Sequence, residues 1–153
     1  MFHRLLLTVS LIAAATASAA AQERQWTLDA SDEDAYLIFG VPESDDVGLS
    51  LWCPIQKGEI NIFVPEAHAT LPAGKDVTLV IKAGDETAEI PARTEVNEEA
   101  GATSVEARAN ADHPVFAAML QTDRFRVIVA DEENVFPLVD ADLEGLLALC
   151  RKP

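Results

Sequence analysis

LSLWCPIQKGEINIFVP, residues 49–65, contains two short runs of alternating apolar and polar residues around a glycine-containing turn. In the first run Leu49, Leu51 and Cys53 fall on one face. In the second run one face has Ile60, Ile62 and Val64. A period of two is typical of a strand with one buried face, and two such runs around a tight turn predict a β-hairpin.

The same alternation, or a short apolar run, recurs at 35–41, 76–84, 86–96, 103–109, 124–130 and 135–139, whereas residues 22–30 are interpreted as a short entry segment before the first strand. Residues 113–122 and 141–151 instead repeat apolar positions at helical spacing, with Asp112 and Asp140 as expected N-caps. We therefore expect a mainly β protein: an antiparallel β-sandwich or open barrel of about eight strands with two short helices covering an end or an exposed edge. Because Pro91 cannot donate to a ladder, strand 86–96 is predicted to lie at an edge or to carry a bulge.

Residues 1–21 are predicted to be a signal peptide. Arg4 precedes an apolar run at 5–15, and small residues follow up to Ala21, with cleavage expected after Ala19 or Ala21. The apolar run is shorter than the roughly 20 residues that a transmembrane helix needs. We expect residues 22–153 to form a single β-rich domain that is periplasmic or secreted, with no membrane insertion after cleavage.

The chain is strongly acidic. It carries 26 acidic and 11 basic residues, a formal charge of −15, and the charge falls further when Arg4 is removed with the leader. Such a surface repels nucleic acids and anionic lipid headgroups. It is compatible with simple solubility, or with a cationic envelope or secreted protein as the partner.

The two cysteines, Cys53 and Cys150, are separated by 97 positions. In an oxidising compartment they allow one intramolecular pairing, which would join the last helix to the middle of the chain. In the chain-entropy model, closing a loop of that length stabilises the fold by roughly 4–5 kcal/mol. A redox role is disfavoured because the chain has no C-x-x-C motif.

The candidate partner-binding residues lie in two acidic loops and on one strand. The loops flank the predicted strand 35–41 and are expected to be about 23 Å apart, too far to share one ion. Trp52 lies on the face opposite Cys53, where it would either anchor a partner or pack under a helix. The acidic candidates are Asp32, Glu33, Asp34, Glu43, Asp45 and Asp46.

The sequence contains no recognisable catalytic or metal-binding motif. DADLEG, residues 140–145, begins like a calcium loop, but its twelfth position is Arg151 where a carboxylate is needed. His68 and His113 lie on separate elements without a zinc-ligand spacing. No metal and no cofactor are predicted. The favoured interpretation is a non-enzymatic protein-binding or envelope accessory protein, and the alternative is a small periplasmic hydrolase or carbohydrate-binding module.

A W-x-L pair, an L-x-L-W-C strand and a closing F-x-L and L-x-x-L-C segment resemble small exported bacterial β-rich proteins of unknown function. Some proteins of that general kind are associated with secretion systems or envelope assembly. The resemblance implies a fold and transfers no site. The residues that carry it are Trp26, Leu28, Leu49, Leu51, Trp52, Cys53, Phe136, Leu138, Leu146, Leu149 and Cys150.

Overall fold

The computed structural model describes residues 23–67 and 71–153, so the predicted signal peptide and His68 lie outside the described residues. The described residues form nine strands and two helices. In chain order they are β1 (Gln25–Ala30), β2 (Asp34–Gly40), β3 (Val47–Pro54), β4 (Glu59–Val64), β5 (Asp76–Ala83), β6 (Glu86–Asn97), β7 (Ala102–Asn110), α1 (Pro114–Met119), β8 (Arg124–Val129), β9 (Glu132–Pro137) and α2 (Leu143–Cys150).

The nine strands form one antiparallel sheet in the order β1-β2-β3-β4-β7-β6-β5-β8-β9. The sheet curls into a half-barrel. The predicted mainly β, antiparallel fold is therefore confirmed, and of the two architectures expected from the sequence the open barrel is the one observed. The predicted hairpin at 49–65 is the β3–β4 pair, in which Leu51 lies opposite Ile62.

Two strands differ from the sequence prediction. Residues 25–30, interpreted from the sequence as part of a short entry segment, form the additional strand β1 and pair with β2 along their whole length, with Trp26 opposite Phe39. Strand β9 begins at Glu132, three residues earlier than expected, because Ala130 adopts a positive φ of 54° in the turn after β8. Both segments are poor in strand-forming residues, so their conformation depends on pairing with a neighbouring strand.

Of the two options predicted for strand 86–96, an edge position or a bulge, the edge position was wrong, and the pairing with β5 runs through Pro91 without a register shift. Strand β6 is internal, between β5 and β7. Pro91 is opposite Thr78 of β5, whereas the ladder with β7 begins only at Ala92, opposite Ala107. The missing N–H of Pro91 therefore falls where β6 and β7 are no longer paired, and the two strands separate at that point.

Because all neighbours are antiparallel, the connections fall at two ends of the sheet. One end, which we call the helical end, has the β1–β2, β3–β4 and β5–β6 turns together with α1 and α2. The other, the loop end, has the β2–β3, β4–β5, β6–β7 and β8–β9 connections. The helices thus cover one end of the sheet, as the sequence predicted.

Both helices are shorter than predicted, and both begin with a different N-cap. Helix α1 is capped by His113, whose Nδ1 accepts from the backbone N–H of Val115 at 3.2 Å, rather than by Asp112. Helix α2 is capped by Asp142, which accepts from the backbone N–H of Gly145 at 2.9 Å, rather than by Asp140. Asp140 has a positive φ of 69° and lies in the preceding turn. An N-cap is selected by the direction in which the chain enters the helix, which sequence spacing specifies only to within a residue or two.

The concave face of the sheet is filled by side chains of the strands and of both helices. Leu37, Leu51, Ile62 and Ile81 are fully or almost fully buried there, and Phe116 of α1 packs in the same core. The predicted inward faces of the strands are therefore correct. The exception is Val96, which has the inward parity but is 66% exposed at the end of β6.

An aromatic cluster joins the two edges of the sheet. The Trp26 ring on β1 lies near Phe39 and Phe125, with centroids 5.2 Å and 6.4 Å away, and Phe136 on β9 packs against both phenylalanines. The indole N–H of Trp26 also donates to the carbonyl of Pro137 on β9. The two edge strands are thus held together by side chains, which limits the exposure of unpaired strand edges.

The predicted disulfide between Cys53 and Cys150 is present, and both residues are fully buried. It joins the end of β3 to the last turn of α2. The backbone N–H groups of Gln56 and Gly58 in the β3–β4 turn donate to the carbonyls of Leu149 and Cys150 at 2.9 and 2.8 Å. These bonds satisfy carbonyls that have no partner within the helix, so the turn and the helix end stabilise each other.

Candidate functional site

The structure separates the predicted partner-binding residues into three places. Asp32, Glu33 and Asp34 lie in or beside the β1–β2 turn at the helical end, and Glu43, Asp45 and Asp46 lie in the β2–β3 connection at the loop end. Trp52 lies on the outer, convex face of β3, opposite Tyr36 of β2. Because strand β2 separates the two acidic loops, they do not form one cluster.

The loop end brings the second acidic loop together with carboxylates that sequence analysis did not connect. The β4–β5, β6–β7 and β8–β9 connections all reach this end. Opposing charges there come from Lys75 and from Arg24, whose Nε donates to Asp46 at 2.9 Å. The carboxylates of these connections are Glu43, Asp45, Asp46, Glu66, Glu98, Glu99 and Asp131.

A buried threonine fixes the long β4–β5 connection at this end. Thr94 is fully buried in β6, and its hydroxyl donates to the carbonyl of Pro72 and accepts from the N–H of Lys75, both at 2.8 Å. Nearer β4, the Asn97 side chain donates to the carbonyl of Pro65 at 3.2 Å. These bonds hold the segment that carries Glu66 against the β6–β7 hairpin.

A groove of about 450 Å³ runs between three of the loop-end connections. Asp45 and Asp46 enter it from the β2–β3 connection, Glu66 from the β4–β5 connection and Glu99 from the β6–β7 turn. Its apolar lining comes from Val47, Phe63 and Pro65. Carboxylates around an apolar and aromatic floor match a lysine or arginine side chain, which has an aliphatic stem and a charged head.

A smaller cleft of about 250 Å³ lies where the two edges of the sheet approach each other. Glu66 and Glu132 both line it, together with Arg24, Asn134 and Phe136. These two glutamates are distant in the chain, and their approach depends on the curl of the sheet, so no sequence pattern relates them.

Across the described ranges 23–67 and 71–153, no group of three or more histidine, cysteine, aspartate or glutamate side chains is arranged to hold a metal ion. His113 is used as the N-cap of α1.

Trp52 does not pack under a helix, because the helices occupy the concave side of the sheet. Its indole is half-buried and stacks on Tyr36, with ring centroids 5.7 Å apart and an interplanar angle of 18°. The outward position of the ring was predicted by the alternation of β3, whereas its aromatic neighbour depends on the β2–β3 register.

Comparison of the chain with protein-family models, with curated proteins and with solved structures found no match. None of the described helices is long and apolar enough to cross a bilayer. The buried disulfide fits an oxidising location such as the periplasm or the cell exterior.

Proposed function

We propose that this protein is an exported, non-enzymatic binding or envelope accessory protein that engages a cationic protein through its loop end. The observation that carries the proposal is the loop-end groove, in which carboxylates of three separate connections surround an apolar floor. A basic side chain of the partner would place its aliphatic stem on Phe63 and Pro65 and its charge among the carboxylates.

The overall charge supports the same partner chemistry. A protein with a formal charge of −15 attracts a basic partner over distances of the order of a Debye length, about 8 Å at physiological ionic strength. Such steering raises the association rate more than it slows dissociation, and it weakens as salt is added. Export to the periplasm or beyond is part of the proposal: the disulfide fits such a location, and a signal peptide is predicted at residues 1–21.

The proposal is tested by capture from an envelope extract with three forms of the oxidised protein. The first is the unmodified chain. The second carries Asp45→Asn, Glu66→Gln and Glu99→Gln, which neutralise the groove while leaving the Arg24–Asp46 pair intact. The third carries Asp32→Asn, Glu33→Gln and Asp85→Asn, which remove the same charge from turns at the helical end.

We expect the unmodified protein and the helical-end variant to retain a basic protein that elutes with salt, and the groove variant to lose most of it. For the retained protein, neutralising the groove should weaken binding by roughly tenfold or more, as for a central contact of an interface. An equal loss of the captured protein in both variants would show that binding depends on net charge alone and not on the groove. Loss only in the helical-end variant would assign binding to Asp32 and Glu33, and binding insensitive to salt would refute the steering argument.

A further inference from the structure

A row of paired residues crosses five strands on the convex face of the sheet. Asp29 lies opposite Tyr36, Tyr36 opposite Trp52, Trp52 opposite Asn61, and Asn61 opposite Arg108. Neighbouring strands are about 4.8 Å apart, so the row extends over roughly 19 Å. It places two aromatic rings, an amide and a guanidinium side by side on a surface that neither α1 nor α2 covers.

Within this row, one face of the Trp52 ring is covered by Tyr36 and the other is not. Because Tyr36 stacks on Trp52 from β2, the other face of the indole is directed toward β4 and Asn61. A depression of about 390 Å³ lies there, lined also by Phe63, Glu106 and Arg108. A partly exposed indole face beside a polar depression is a surface on which a ligand ring can stack.

The polar side chains of the depression are held in place by one another. Asn61 donates to the backbone carbonyl of Trp52 at 3.4 Å and accepts from Nε of Arg108 at 3.0 Å. Nε of Arg108 also lies 3.3 Å from the carboxylate of Glu59. Both contacts use Nε, and two thirds of the Arg108 side chain is exposed (66%), so its guanidinium is oriented while remaining accessible.

The depression continues into a second one, which Pro91 helps to create. Where β6 and β7 separate at Pro91, a hollow of about 430 Å³ opens and shares Asn61, Glu106 and Arg108 with the first. Its far side is formed by Arg93, whose guanidinium contacts Asp76 at 3.3 Å and Glu95 at 2.9 Å. The two hollows form one open groove along the sheet, which we call the convex groove.

The convex groove is electrically balanced on a chain that is otherwise acidic. Its lining has two arginines, Arg93 and Arg108, and two carboxylates, Asp76 and Glu106. A strongly cationic ligand would meet the arginines, and a strongly anionic one would be repelled by the rest of the protein. This charge balance favours a neutral ligand that offers both hydrogen-bond donors and acceptors.

We propose that the convex groove binds a neutral oligosaccharide. One sugar ring would stack its C–H face on the indole of Trp52, while hydroxyl groups of this and neighbouring rings would bond Asn61, Arg108 and Glu106. The length of the groove accommodates several rings in a row, and its open sides let the ends of a longer chain pass. This site adjoins the loop-end groove, with which it shares Phe63, but its polar residues are different and it does not depend on the proposed protein partner.

The experiment uses tryptophan fluorescence of the oxidised protein. The chain has two tryptophans, and Trp26 is buried in the aromatic cluster between the two edge strands. A change in fluorescence on ligand addition therefore reports mainly on Trp52. The probes are cellotetraose, maltotetraose and chitotetraose as neutral tetrasaccharides and tetragalacturonic acid as an anionic one. Each is also titrated by calorimetry, so that variants without Trp52 can be measured.

The variants are Trp52→Ala and Arg108→Ala, with Arg126→Ala as the matched control. Arg126 is also an outward, half-exposed arginine paired with a glutamate, Glu133, but it lies on β8, outside the convex groove. Circular dichroism and thiol titration establish that each variant is folded with its disulfide intact.

We expect at least one neutral tetrasaccharide to bind saturably. Its affinity should fall roughly tenfold or more in Trp52→Ala, fall clearly in Arg108→Ala, and remain unchanged in Arg126→Ala. The proposal is overturned if none of the three neutral probes binds at millimolar concentration, or if tetragalacturonic acid binds more tightly than all of them. Binding that survives Trp52→Ala, or a cationic peptide that alone perturbs Trp52, would overturn it equally.

Discussion

The helical end of the sheet is closed by two helices, a buried disulfide and backbone hydrogen bonds, whereas the loop end is bounded by turns that carry closely spaced carboxylates. At the helical end, Cys53 and Cys150 are fully buried and the β3–β4 turn is bonded to the end of α2. At the loop end, the groove between Asp45, Glu66 and Glu99 is open to solvent.

The difference suggests that the two ends contribute to different properties. A cross-link and a buried helix face stabilise the fold, whereas like charges held near one another repel and stabilise nothing by themselves. Carboxylates of separate connections that line one groove, as Asp45, Glu66 and Glu99 do, are therefore better explained by a partner than by folding. We therefore expect substitutions at the helical end to lower the free energy of unfolding most. At the loop end, we expect a loss of stability mainly from substitutions of residues that anchor its backbone.

The largest effect is expected from replacing both cysteines, Cys53→Ala with Cys150→Ala. Opening a cross-link with a sequence separation of 97 should lower the free energy of unfolding by roughly 4–5 kcal/mol. Chemical denaturation measures the loss. Hydrogen exchange should show the amides of Gln56 and Gly58 losing protection first, while the amide of Ala67 at the loop end is less affected; uniform loss at both ends would contradict the comparison.

The next largest effect is expected at the loop end, from Thr94→Val. The substitution keeps the shape of the side chain but leaves the Pro72 carbonyl and the Lys75 N–H without their hydroxyl partner. A buried polar group without a partner costs about 1–3 kcal/mol. Thr87→Val, an exposed site on the same strand, is the control and should change the unfolding free energy by less than about 0.5 kcal/mol. Equal effects at both sites would show that Thr94 does not anchor the connection.

Removal of the α2 cap by Asp142→Ala should have a smaller effect at the helical end. The side chain satisfies the N–H of Gly145, and losing such a cap costs about 1 kcal/mol. Asp140→Gly, at the cap predicted from sequence, should cost less, because Asp140 lies in the turn before the helix at a positive φ of 69° that glycine adopts without strain. Denaturation midpoints of the two variants compare the observed and the predicted cap directly.

The smallest effect concerns an exposed pair at the helical end. The guanidinium of Arg124 bonds the Asp123 carboxylate and lowers its pKa. A carboxylate with a lowered pKa in the folded state adds stability above its unfolded pKa and loses it as the pH falls through the folded value, hence below about pH 4. NMR titration should show the pKa of Asp123 rising toward its ordinary value in Arg124→Gln; an unchanged pKa would exclude Arg124 as the cause.

Much of the fold follows from patterns that are local in the chain. The inward faces of β3, β4 and β5 were predicted because apolar residues alternate with other residues along these segments of the sequence. Strand β1 was missed because QWTLDA has only two large apolar residues, and its conformation depends on β2 beside it. Pro91 was assigned to an edge or a bulge because the sequence shows the missing N–H but not the point where the ladder to β7 stops.

The candidate sites were predicted less completely than the fold. Trp52 and the acidic residues Asp45 and Asp46 were identified as candidates from the sequence, but their neighbours in the structure were not. Glu66 and Glu99 join the loop-end groove only because the strand order brings three connections together, and Arg108 reaches the row of Trp52 only through the β4–β7 pairing.

By itself the sequence determined the alternating strands, the excess of negative charge and the one possible intramolecular disulfide, because periodicity, charge and cysteine number are properties of the chain alone. Only the tertiary structure decided which loops share an end, where β6 leaves β7 and what faces the indole of Trp52. These depend on strand order and register, which are set by contacts between residues far apart in the chain.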